Sequence, residues 1–210
     1  ATASKELLEA EKPNILQTTS CQEPTQEKFQ TITKLFEERR FELALKKAHE
    51  MQDHFPTSIN LYNVIGGLNS ALERFEIAIE NFQCALELEP DFAEAHNNLG
   101  DVLQKKGDFS SAIRSHAMAI KLQPNFAEAH YNIGNAFTLV CNFDSAITAY
   151  KKVLKIKPDY AEAWNNLGVV LQDKGDLTAS IESYQEAIKI KVDYADACFN
   201  KSLANLRLRD

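Results

Sequence analysis

Residues 92–125 read FAEAHNNLGDVLQKKGDFSSAIRSHAMAIKLQPN, and residues 126–159 read FAEAHYNIGNAFTLVCNFDSAITAYKKVLKIKPD. The second stretch is the first moved along by 34 residues. A third copy, YAEAWNNLGVVLQDKGDLTASIESYQEAIKIKVD, follows at 160–193. Proline marks the same step at Pro56, Pro90, Pro124 and Pro158, and Val192 stands where the next is due. A fixed period of this size points to a chain of identical supersecondary units.

Within each copy the apolar residues recur at helical spacing. In the 92–125 copy, Ala95, Leu99, Val102 and Leu103 make one stripe, and Ile113, Ala117 and Ile120 make a second. Lys106-Gly107-Asp108 separates them. Gly107 and Gly175 suit the left-handed backbone that ends a helix. The middle copy has Cys141-Asn142 there, and Asn tolerates that conformation, so the turn is expected to persist. Gly66, Gly100, Gly134 and Gly168 share one position of the first helix, and Ala78, Ala112, Ala146 and Ser180 share one of the second. A helical Gly is about 1 kcal/mol less favourable than Ala, so its recurrence implies a close backbone approach between the two helices. Ile32 holds the Gly position in the first copy, which predicts a wider pair there. The prolines end the second helices, and Asp91, Asn125 and Asp159 follow where short polar side chains favour a turn or helix start.

The frame extends backwards through LYNVIGG (61–67) with FEIAIENFQCALELEP (75–90), and through a worn copy ending in FELALKKAHEMQDHFP (41–56). It runs forward into YADACFNKSLANLRLRD (194–210). This pattern resembles the tetratricopeptide repeat (TPR) family. The resemblance implies an all-α solenoid of antiparallel helix pairs wound into a right-handed superhelix. The expected units are 25–58 (degenerate), 59–92, 93–126, 127–160 and 161–194. Residues 195–210 form an unpaired last helix, either a partial repeat or a cap. Residues 1–24 lie outside the pattern, with a short helix expected at Ser4–Glu11 and a linker at Pro13–Pro24.

Composition narrows the function. Residues 1–92 hold the whole net charge of −7 and the remainder is neutral. An acidic half beside a neutral one disfavours nucleic acid, which needs a basic stripe. No apolar run is long enough to span a membrane, and the first residues show no secretory signal core. The four cysteines form no zinc-binding or disulfide pattern, so free thiols in a reducing, cytoplasmic setting are expected. No phosphate loop, nucleophile elbow or His-Glu-x-x-His occurs, and Gly66-Gly67 lies inside a helix. His96 and His130 share a position with Tyr62 and Trp164, and His116 with Phe82 and Tyr150, so they read as packing residues. No enzyme activity, metal or cofactor is expected.

The partner expected is a protein or peptide. In the TPR family the first helices line the concave face, so the resemblance places Asn98, Asn132, Asn166 and Asn200 there as a ladder. An amide offers both donors and an acceptor to a peptide backbone. The ladder resembles the groove asparagines in the TPR region of the O-linked N-acetylglucosamine transferase family. Flanking it are the carboxylates Glu94, Glu128 and Glu162, the neighbours Asn97, Tyr131 and Asn165, and one turn on Asp101 and Asn135. These acids and amides stand where some TPR co-chaperones carry the cations that clamp a terminal carboxylate, so that mode is not expected. Two further readings attach to the same residues. The last stretch is similar to the ends of repeat arrays in bacterial multidomain proteins that precede a glycosyltransferase or sulfotransferase. The apolar last helix also suits self-association.

Overall fold

The computed structural model describes residues 23–208. The helix and most of the linker expected before residue 25 lie outside the described residues. Eleven helices are described, with no strand among them. They are α1 (Gln26–Glu37), α2 (Phe41–Gln52), α3 (Ile59–Ala71), α4 (Phe75–Leu88), α5 (Ala93–Lys105), α6 (Phe109–Leu122), α7 (Ala127–Leu139), α8 (Phe143–Ile156), α9 (Ala161–Asp173), α10 (Leu177–Ile190) and α11 (Ala195–Arg207). Each odd helix from α1 to α9 packs on the even helix that follows, and each even helix packs on the odd helix after it. No pair can bury its apolar face alone, so stacking closes the core.

The helix boundaries follow from local chemistry. Asp108, Asn142 and Asp176 accept from the backbone N–H groups of Ser111, Ser145 and Ala179 at 3.0, 3.3 and 3.1 Å, which caps α6, α8 and α10. Ser58 does the same for α3 through Leu61. Residues 91, 125 and 159 do not serve as caps. The caps of α5, α7 and α9 are Phe92, Phe126 and Tyr160, without a side-chain bond. The turn inside each pair uses one left-handed residue at the same register: Arg39 (φ 57°), Glu73 (φ 59°), Gly107 (φ 85°), Cys141 (φ 57°) and Gly175 (φ 91°). The turn at 141 persists, but Cys141 carries the positive φ and Asn142 is the cap. A side chain at such a position is disfavoured by about 1–2 kcal/mol. Part of that is offset because Gly leaves the unfolded chain freer, by about 0.4–1 kcal/mol. Cys141 is exposed and gives up no packing, so Cys141→Gly is expected to add about 0.5–1 kcal/mol and raise the melting temperature by roughly 2 °C. Calorimetry showing no rise would contradict this account. The turn after α10 forms without proline: Lys191 is extended (φ −128°, ψ 94°), as Lys157 is before Pro158 (φ −128°, ψ 87°).

The recurring glycines make room for rings rather than for backbone. A Cβ at Gly66 would lie 2.7 Å from Phe82, at Gly100 2.6 Å from His116, at Gly134 2.8 Å from Tyr150, and at Gly168 2.6 Å from Tyr184. Those rings are fully buried, and Ala78, Ala112, Ala146 and Ser180 lie buried one turn before them. The first pair reverses the arrangement. Ile32 fills the glycine position and Ala48 the ring position, at 3 % and 0 % exposure. Bulk has moved from the second helix to the first, and α1 packs on α2 less extensively than the later pairs do. On α6 the buried stripe is Ala112, His116 and Ala119, one residue earlier than the spacing suggests, and Ala117 is exposed.

The equivalent histidines carry hydrogen bonds as well as packing. His96 and His130 each place Nε2 at 2.9 and 3.0 Å from the carbonyls of Pro90 and Pro124, and Trp164 Nε1 donates to Pro158 over 2.9 Å. In each of these three repeats one ring nitrogen thus pins the turn that joins it to the repeat before. At the other end of the array, the Glu23 carboxylate accepts from Ser58 Oγ at 2.6 Å and from the Ile59 N–H at 2.7 Å, across the whole of the first pair. α11 leaves Phe199 and Leu206 exposed at 69 % and 61 %.

Candidate functional site

First helices approach one another across repeats: α3 meets α5, α5 meets α7, α7 meets α9 and α9 meets α11. No two second helices make comparable contact among the described residues. A stack pinched along one side curves toward it, so the odd helices line the concave wall.

On that wall Asn98 donates through Nδ2 to Asn63 Oδ1 at 3.0 Å, Asn132 to Asn97 Oδ1 at 3.2 Å, and Asn200 to Asn165 Oδ1 at 3.2 Å. Asn166 donates to the Tyr131 hydroxyl at 3.0 Å and to Asn135 Oδ1 at 3.1 Å. Every ladder amide therefore grips the repeat before it, always in the same register. All four are half-buried. The Oδ1 atoms of Asn98, Asn132 and Asn200 accept no bond among the described residues and are not buried from solvent. In these three amides one side serves the fold and the other faces outward, whereas Asn166 Oδ1 accepts from Asn165 Nδ2 at 3.3 Å.

The neighbours divide. Asn97 and Asn165 are buried at 6 % exposure, because the following repeat covers them. They act as acceptors between repeats and offer little to a partner. Tyr131 is half-buried and stacks on Tyr160 with centroids 5.0 Å apart. Asn135 accepts from the Tyr150 hydroxyl at 2.7 Å as well as from Asn166. Glu128 pairs with Lys157 at 2.5 Å, which holds its carboxyl below the usual range, and Glu162 pairs with Lys191 at 3.6 Å. Glu94 has no such cation among the described residues, since Gln123 stands where those lysines are.

Repeat three carries the unusual chemistry. His116 is fully buried, and desolvation pulls it down to about 4. Its Nδ1 lies 3.0 Å from Asn97 Oδ1, and its Nε2 lies 3.7 Å from Asp101 with no hydrogen bond. Asp101 is pushed up to about 6, again by desolvation, although its side chain keeps 41 % exposure. The other buried polar atom without a partner among the described residues is Gln104 Oε1. Sister repeats explain both. Thr138 lies 3.3 Å from the Tyr150 hydroxyl, and Gln172 Oε1 accepts from the Tyr184 hydroxyl at 3.4 Å. Gln104 occupies that position, and the imidazole opposite it has no hydroxyl to give.

Three hollows open on this part of the molecule. One of about 340 Å³ lies between Gln104, Asn135, Thr138, Leu139, Tyr150 and Asn166. One of about 270 Å³ is lined by Phe29, Phe36, Asn63, Val64, Gly67 and Asn98. The largest, about 530 Å³, includes Glu23, Asn60, Glu89, Asp91 and Glu94. Gly67, Phe36 and Gln104 were not legible as site residues from the period. The one available signal was a second glycine beside Gly66 with no counterpart in the other copies. Among the described residues no group of three or more His, Cys, Asp or Glu is placed to hold a metal ion, and no helix is long and apolar enough to cross a membrane.

Models of the TPR repeat match residues 71–107, 105–139 and 142–175, and a tetratricopeptide repeat model matches 161–194. The chain belongs to the tetratricopeptide repeat family. Among solved structures, this TPR chain is similar to MamA, at 23% identity with a TM-score of 0.69, over 78% of this chain and 96% of that one. It is similar also to YrrB, described as a TPR protein with an unusual peptide-binding site, at 22% identity, TM-score 0.67, over 85% and 92%. A thermophilic TPR protein of Thermus thermophilus, TTC0263, aligns at 18% identity, TM-score 0.70, over 86% and 98%. At these identities the likeness establishes the fold. No curated protein sequence matches the chain.

Proposed function

We propose that this TPR chain is a non-catalytic interaction scaffold that holds an extended segment of a partner protein along its concave wall. TPR arrays act as protein–protein interaction scaffolds, and this chain has their repeats. The observation that carries the finer reading is the ladder. Asn98, Asn132 and Asn200 share one register, are anchored by their nitrogens, and leave their oxygens open. A row of anchored acceptors can take backbone N–H groups at intervals along an extended segment, whatever its sequence. Anchoring also removes the entropy otherwise lost on binding.

The test is the double variant Asn132→Ala/Asn166→Ala. Each change also removes bonds between repeats, so a loss of about 1 kcal/mol apiece is expected. Circular dichroism is expected to keep the helical signal. Affinity for dodecapeptides selected on the native protein from a random library is expected to fall at least tenfold. Unchanged affinity in a folded double variant removes the ladder from the account.

A further inference from the structure

Four of the five glycines inside first helices face a ring, but Gly67 does not. A Cβ built on it meets nothing within 4 Å. It stands in the interior of α3 and bears the helix penalty of about 1 kcal/mol against Ala with no packing inside the described chain to account for it. It lines the hollow of about 270 Å³ whose walls are Phe29, Phe36 and Val64 and whose rim carries Asn63 and Asn98. Phe36 remains 45 % exposed there. Asn98 is a rung of the ladder, so the hollow opens beside the proposed path of a bound segment.

One helical turn back along the same two helices, Asn60 and Glu94 line the larger hollow with Glu23, Glu89 and Asp91. Among the described residues none of these four carboxylates is in an ion pair, whereas Glu128 and Glu162 in the following repeats are neutralised by Lys157 and Lys191. An apolar recess therefore adjoins a wall of negative charge in which Glu89, Asp91 and Glu94 have no cation among the described residues, while Glu23 is held by Ser58 and the first N–H groups of α3. One turn is about 5.4 Å, and an extended chain advances about 3.3 Å per residue.

We propose that the Gly67 hollow is the specificity pocket of the groove, and that it receives a bulky apolar side chain from a partner segment bearing Lys or Arg within three residues of it. The inference rests on the groove reading and adds to it the chemistry of the ligand. Gly67 is glycine because the partner's side chain occupies the space a Cβ would enter. The carboxylates at Glu89, Asp91 and Glu94 select the adjacent cation, and steer it at low salt.

The test uses the whole chain and fluorescein-labelled dodecapeptides selected on it from a random library. Selected peptides are expected to share a Phe, Leu, Ile or Met with a basic residue one to three positions away. Their affinity is expected to weaken on raising the salt. Gly67→Leu is expected to raise the melting temperature, since it improves the helix and fills a void, while weakening those peptides at least tenfold. Gly67→Ala is expected to do both to a smaller degree. A merely structural glycine would not couple greater stability to weaker binding. Peptides that lose affinity in Asn132→Ala/Asn166→Ala but not in Gly67→Leu would overturn the pocket and leave the groove standing. Peptides insensitive to both variants, or no selection at all, would overturn both. Self-association abolished by Gly67→Leu would overturn the choice of occupant, as would selected peptides without the basic residue.

Discussion

Gly168→Ile alone is expected to destabilise the array by about 3 kcal/mol, because its side chain enters space the Tyr184 ring already fills. Tyr184→Ala alone is expected to cost about 3–5 kcal/mol, the range for emptying a buried aromatic site. The two together are expected to lose at least about 2 kcal/mol less than their sum, a coupling within the range for residues in direct contact. The warrant is in the chain itself, since Ile32 and Ala48 already form that reversed pair in the first repeat. Urea unfolding of the wild type, both single variants and the double variant measures the coupling. Strictly additive losses would show that glycine and ring are not one packing unit.

The second large effect is a gain. His116→Tyr is expected to stabilise the array by about 1–3 kcal/mol near neutral pH. Its hydroxyl restores the partner of the buried Gln104 Oε1, and an unsatisfied buried acceptor is worth about that much. Gly100 already leaves for a ring the room that Gly168 leaves for Tyr184. The gain is expected to depend on acidity. His116 sits at about 4 in the folded chain and near 6.5 when unfolded. Its neutral form therefore supports folding fully above about pH 6.5, and that support is lost as pH falls toward 4. Tyr at this position does not titrate there, so the advantage of the variant grows by up to about 3 kcal/mol between those limits. Asp101 acts oppositely. Raised to about 6, it favours the fold below the unfolded carboxylate range, and that support is lost as pH rises through 6. At 41 % exposure it is the weaker of the two, because solvent screens it. Melting temperatures from pH 4 to 7.5 give the difference directly. A difference that stays flat across this range would mean that His116 is not held neutral by burial.

The helix pairs were legible because prolines, glycines and apolar stripes all keep one period, and any one register implies the rest. What the period could not supply was the phase between elements. That a recurrent glycine faces a ring rather than a backbone depends on how the second helix is rotated against the first, and no spacing encodes this. Asn97 and Asn98 are adjacent in sequence, yet successive side chains on a helix diverge by about 100°. One is covered by the next repeat while the other is left on the open wall. Cys141 takes the left-handed position because the register of the turn outweighs residue preference, so Asn142 is displaced to the cap. The Gly67 hollow was hidden for another reason. It depends on bulk at Phe29 and Phe36 in the most worn repeat, where no sister copy offers a comparison.

The bonds from Glu23 to Ser58 and Ile59 join residues 35 and 36 positions apart. They fasten the approach to the first hairpin onto the leading tip of the second. Tension applied on the N-terminal side of Glu23 is therefore borne by that clasp in shear, and α1 and α2 sit inside a closed loop that carries no load until it opens. Pulled from this end in a force measurement, the array is expected to open the clasp before α1 and α2 take up load.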